Sequence, residues 1–117
     1  MTPPILQDLL DALEDVDDAT REEAAKALAD LGNPLTREAL IAACGDDFWS
    51  VRAHAARGLA KIGGPQAIEA IVDLFNDPIM EVRNQAVEAA VHLGAAVLDR
   101  LITALKDERW RVREHAA

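Results

Sequence analysis

Four segments of this 117-residue chain repeat one pattern, and that repetition limits the fold more than any other feature. They read DVDDATREEAAKALADLG from Asp15, DDFWSVRAHAARGLAKIG from Asp46, DPIMEVRNQAVEAAVHLG from Asp77 and DERWRVREHAA from Asp107. In every copy an Arg stands six positions after the Asp: Arg21, Arg52, Arg83 and Arg113. Val51, Val82 and Val112 precede it, with Thr20 in the first copy. The first three copies close on Leu31-Gly32, Ile62-Gly63 and Leu93-Gly94. A period near 31 residues fits one pair of helices, which cannot bury its apolar face alone and must stack on its neighbours.

The local pattern agrees. Upstream of each Asp lies a short amphipathic run, at Ile5–Glu14, Arg37–Cys44, Pro65–Asn76 and Ala96–Lys106. Ile68, Ile71, Val72 and Phe75 fall at helical spacing in the third. Pro3, Pro4, Thr36 and Pro65 mark first turns. A second helix follows each Asp and ends at a Gly suited to a left-handed C-terminal position. On the second of these, Val51, Ala55, Gly58, Leu59 and Ile62 share one face, while Ala53, Arg57 and Lys61 point away. The apolar mass is largely Ala with Leu, Val and Ile, and only 3% of residues are aromatic, as closely packed helices require.

Paired helices of this period, with D-x5-R and a V-R-x-x-A-A-x-x-L-x-x-[IL]-G second helix, resemble HEAT repeats. More narrowly, they are similar to the short HEAT-like subclass named after phycobilisome lyases. The resemblance covers essentially the whole chain. It implies an all-α right-handed superhelix with the second helices lining the concave side. The expected organisation is one array over 1–117: complete repeats near 3–32, 34–63 and 65–94, then a partial fourth at 95–117.

The repeated Asp and Arg read as scaffold, since a catalytic group is seldom needed four times at equal spacing. Each Asp sits before the second helix, where a carboxylate accepts backbone N–H bonds and meets the helix dipole. Each Arg is expected to reach the Asp of its own or the adjacent repeat, giving a ladder of charge-assisted bonds. Partner recognition falls instead to positions that vary between copies on a shared face. The first copy offers Asp18, Ala19, Glu22, Glu23, Lys26 and Asp30. The candidate binding residues are Trp49, Ala53, His54, Arg57 and Lys61 in the second copy, Met80, Glu81, Asn84, Gln85 and Glu88 in the third, and Trp110 and Arg111 in the fourth. Trp and Arg are over-represented at interface hot spots, which suits a protein-binding groove.

Charge narrows the partner class. A formal net charge of −9 argues against nucleic acid and anionic lipid. No run approaches the roughly 20 apolar residues of a membrane span, and the start lacks a basic, apolar leader pattern. A single cysteine, Cys44, leaves no internal disulfide and points to a reducing cytoplasm. Asp8, Asp11, Glu14, Asp15, Asp17 and Asp18 read as a solvated capping helix, a polar outer face that keeps a terminal repeat soluble. The fourth copy stops at Ala117 where its siblings run on for about two more turns. Either the chain is a piece of a longer array, or a partner or a second copy covers that end; an acidic first repeat with a basic last one makes head-to-tail association one such arrangement.

Enzyme readings find less support. The diiron deoxyhypusine hydroxylases, also built from HEAT-like repeats, carry His-Glu pairs where this chain has Ala53-His54, Asn84-Gln85 and Glu114-His115. His54 and His115 stand two repeats apart, about 20 Å at ordinary helix spacing, too far to share an ion. HEAT-like alkylpurine glycosylases need a basic concave face, against which the acidic first repeat weighs. Phycobilisome lyases attach or detach bilins, and Trp49, Arg57 and Lys61 supply part of what such a groove needs. Ser50 lacks a nucleophile-elbow setting, Cys44 reads as a small buried thiol, and Gly63-Gly64-Pro65 as a turn. The expectation is a non-enzymatic scaffold that needs no cofactor or metal and binds another protein through the concave surface; the alternative is a subunit of a bilin lyase-like assembly.

Overall fold

The computed structural model describes residues 4–103. Within them the chain forms α1 (Pro4–Ala12), α2 (Asp18–Leu31), α3 (Arg37–Ala43), α4 (Trp49–Ile62), α5 (Pro65–Asp73) and α6 (Met80–Leu93). Residues 95–103 are helical as well and are called α7. No strand occurs among the described residues. The helices pair as α1–α2, α3–α4 and α5–α6, and the pairs pile in line into a body 56 Å long and 27 by 22 Å across. That elongated form is a solenoid and not a compact bundle.

The second helices α2, α4 and α6 are each 14 residues long and occupy the same register in successive copies. Each stops at a glycine with positive φ: Gly32 at 57°, Gly63 at 73° and Gly94 at 69°. L side chains avoid that region, so these glycines end the helix and turn the chain into the next pair. The first helices are shorter and less uniform. A 3-10 turn (Pro34–Thr36) leads into α3, and another (Leu74–Asn76) follows α5. Thr36 stands at the start of α3 as its sequence position suggests, yet makes no side-chain cap. Its buried hydroxyl donates to the Asn33 carbonyl at 2.7 Å instead.

The core runs continuously through the stack. Leu28, Leu40, Leu59 and Ile71 are fully buried, each worth roughly 1.5–3 kcal/mol on removal from water. Between them lie Ala25, Ala55, Ala56, Ala67 and Ala86, all without exposed surface. Small side chains let α2, α4 and α6 approach closely, far more closely than the first helices approach one another. A stack whose second helices are tightly spaced and whose first helices are splayed must curve with the second helices inside. Arg37 adds a tie on the outer side, donating from Nε to the Gly63 carbonyl at 3.0 Å.

Candidate functional site

The repeated Asp and Arg form the expected ladder, and the structure decides its wiring. Arg52 donates from Nε and Nη2 to both carboxylate oxygens of Asp77, one repeat ahead, at 2.7 and 3.0 Å. Its Nη1 turns back to the carbonyl of Asp46 in its own repeat, at 2.8 Å. Arg21 does the same, pairing with Asp46 at 3.0 and 3.2 Å and with the Asp15 carbonyl at 2.8 Å. Arg83 reaches its own Asp77 carbonyl at 2.7 Å. Asp107 and Arg113 lie outside the described residues.

The carboxylates act one step earlier than the sequence suggests. Asp15, Asp46 and Asp77 accept the amides of Asp17, Phe48 and Ile79, each at 2.9 Å. Asp17, Phe48 and Ile79, which donate those amides, are themselves the N-caps of α2, α4 and α6. The repeated Asp therefore fixes the turn leading into the helix, because it stands two residues too early to cap the helix itself. Burial alone would raise the Asp77 carboxyl, but Arg52, the Ile79 amide and Arg83 together hold it below the ordinary 3.8. The hydrogen bond that Arg52 donates to Asp77 in turn raises the Arg52 guanidinium.

On the inner side, Ala53, His54, Arg57 and Lys61 occupy one face of α4, partly or fully exposed. Asn84, Gln85 and Glu88 take the matching face of α6, and Glu22, Lys26 and Asp30 that of α2. The structure brings the α4 and α2 sets together. Arg57 Nη1 donates to Asp30 at 2.7 Å, Arg57 Nη2 to the Lys26 carbonyl at 3.4 Å and Lys61 Nζ to the Asp30 carbonyl at 3.3 Å. Ser50 donates to Glu22 across the same seam. The hydrogen bond from Arg57 holds the Asp30 carboxyl below its ordinary value. Burial, then Arg57, holds His54 below 6.5, so it is uncharged at neutral pH.

Arg57 and Lys61 thus join consecutive repeats as well as face the groove, a role sequence reading did not assign them. A signal was present: Lys26 and Arg57 share one register position, Asp30 and Lys61 the next along that face, so opposite charges meet one helical turn apart. The α6 set makes no comparable bonds to α4 among those described; Gln85 leans only on Glu88, at 3.5 Å. Met80, Glu81, Asn84 and Glu88 stay exposed. Trp49 and Met80 open their helices at equivalent positions, with 40% and 57% of their surfaces accessible. Trp49 has Phe48 as its ring neighbour, centroids 6.4 Å apart. It sits at the opposite end of α4 from Lys61, so the two do not form one contact patch. Trp110 and Arg111 lie outside the described residues. Cys44, at the end of α3, has its thiol pushed up to about 12, first by burial and then by Asp73.

A family model described as HEAT repeats matches residues 6–91. No curated protein matches the sequence. Among solved structures, the complex of CpcE and CpcF of phycocyanin lyase from Nostoc sp. PCC7120 is similar with a TM-score of 0.71 and 24% identity, covering 87% of this chain and 43% of that one. Two engineered proteins are also similar at 24% identity. One has a TM-score of 0.64 and covers 89% of this chain and 52% of that one; the other has 0.60, covering 77% and 45%. This chain therefore spans about half the length, or less, of the structures it matches. At such identities the likeness is one of fold.

Proposed function

This chain belongs to the HEAT-repeat family, and from that premise we propose that it is a non-catalytic scaffold binding a partner protein along the inner wall of its second helices. One observation carries the reading: the side chains that differ between copies lie on matching faces of α2, α4 and α6, on a wall held rigid from behind. The ladder of Arg21–Asp46 and Arg52–Asp77 fixes the spacing of that wall without occupying it. A preordered surface loses little entropy on binding. Within the wall, Trp49, Met80, Glu81, Asn84 and Glu88 are the better contact candidates, because Arg57 and Lys61 already bond to α2.

Affinity capture from native lysate with wild type and a Trp49→Ala, Met80→Ser double variant tests this. Neither residue makes a bond between repeats among the described residues, so helicity should be unchanged while capture falls roughly 30-fold or more, the loss of an interface hot spot. Equal capture by the variant would remove the groove from consideration. The second reading, a subunit of a chromophore lyase-like assembly, has in its favour the likeness to the phycocyanin lyase complex. Absorbance titration with a bilin separates the two, since a shifted bound spectrum belongs to the second alone.

A further inference from the structure

Most cations among the described residues serve the turns and the outer side. Arg21, Arg52 and Arg83 hold the ladder, Arg37 reaches the Gly63 carbonyl, and Arg100 pairs with Glu69. The others, Lys26, Arg57 and Lys61, gather on the inner wall around a single carboxylate, that of Asp30. Arg57 and Lys61 bond to Asp30, through its carboxylate and its carbonyl. The Lys26 ammonium makes no hydrogen bond or ion pair among the described residues. Three positive charges thus surround one negative charge, and the wall here carries a local positive excess.

Arg57 is also less fully engaged than the ladder arginines. Arg21 and Arg52 each give two prongs to one carboxylate, whereas Arg57 gives Asp30 one. Its contacts to the Lys26 carbonyl and to His54 Nδ1 are both long, at 3.4 Å. The side chains of Asp30 and Arg57 are 60% and 29% exposed, so an incoming carboxylate can reach the unused donors. Glu22 and Glu23 stand about one turn before Lys26, and Glu22 already accepts from Ser50. Asp8, Asp11, Glu38, Glu69 and Asp73 lie on the first helices, on the outer side. At physiological salt exposed charges act over about 8 Å, and the body is 22 Å across at its narrowest, so those acids barely oppose an anion on the inner wall.

We propose that the seam between α2 and α4 docks an acidic segment of the partner protein, its carboxylates lying among Lys26, Arg57 and Lys61. The proposal rests on the reading of the inner wall as the partner-binding surface and adds the charge of what binds there. Trp49 stands about 18 Å from Lys61 along α4, a span that about five extended residues cover. A segment with acidic residues at one end and an apolar side chain about five residues away reaches both places.

Titration of the isotope-labelled full chain, followed by amide NMR shifts at physiological salt, tests the proposal. One probe is a peptide with four consecutive glutamates followed, five residues on, by a leucine; the second replaces the glutamates by glutamines. The glutamate peptide should shift the amides of Lys26, Asp30, Arg57 and Lys61 and saturate with a Kd of about 1 mM or tighter, the glutamine peptide binding at least about tenfold more weakly. Lys26→Glu should weaken the glutamate peptide about tenfold or more with circular dichroism unchanged, since Lys26 bonds to nothing through its ammonium. Absence of binding, equal binding of the two peptides, or binding that Lys26→Glu leaves as strong overturns the proposal. So does inorganic phosphate that shifts the same amides at the same concentration as the peptide, which would make the cluster a free-anion site. The underlying groove reading fails separately. Capture from lysate that Trp49→Ala, Met80→Ser abolishes and Lys26→Glu leaves intact keeps the groove and removes the acidic partner.

Discussion

Arg52 shows why one arginine per repeat suffices to hold a stack. Its planar fork matches both oxygens of Asp77 ahead, while Nη1 satisfies the Asp46 carbonyl behind, so one side chain fixes a turn and its neighbour together. The side chains of this pair are only 13% and 5% exposed, which removes most solvent screening. Asp77→Asn should therefore cost about 2–3 kcal/mol at neutral pH, measured by urea denaturation. Because the folded Asp77 carboxyl lies below its ordinary 3.8, its contribution is complete above that value and is lost as pH falls through the lower folded value. Wild type should lose stability steeply below about pH 4, and the variant should show a shallower acid limb. The six-residue interval announced such a ladder. It left open whether Arg would choose its own Asp or the next, because both are near in sequence register and only the stacking distance separates them.

Among the helices, Gly58 shows how packing overrides propensity. Mid-helix glycine is unfavourable by about 1 kcal/mol relative to alanine. Here a Cβ would meet Leu40 Cδ1 at 2.9 Å and the Ala29 Cα at 3.0 Å. The leucine can rotate, but the α2 backbone cannot move without opening the stack. Gly58→Ala should thus destabilise by about 1–2 kcal/mol despite its better helix propensity, as read by thermal or urea unfolding. The repeated Asp-to-Arg interval and the closing Leu-Gly or Ile-Gly located α2, α4 and α6 closely, since period, apolar face and terminal glycine agree there. The first helices were less legible. Thr36 resembles an N-cap in sequence, yet its hydroxyl serves the preceding 3-10 turn. The D-turn residues resembled caps too, and lie two positions early.

At the scale of the whole molecule, a linear stack distributes stability unevenly. α4 is enclosed by α2, α3, α5 and α6, whereas α1 has its main neighbour in α2. Native-state hydrogen exchange should find the slowest amides in α4, around Ala55, Ala56 and Leu59, and the fastest among the helices in α1. Equal protection along the rod would mean that it unfolds as one unit instead. The same linearity governs the inner wall. Its residues are brought into line by stacking, and the seam between α2 and α4 is closed by Arg57, Asp30 and Lys61, while the surface of α6 stays open. No helix among the described residues is long and apolar enough to cross a membrane.

Periodicity by itself determined the helical pairs, their register and the glycines that end them, because hydrophobic spacing and backbone conformation are local properties that one copy already encodes. Which carboxylate each arginine takes and which inner-wall residues are already engaged were decided by the tertiary structure. These depend on distances between copies, set by how closely alanine-lined helices approach, and no single repeat contains that information.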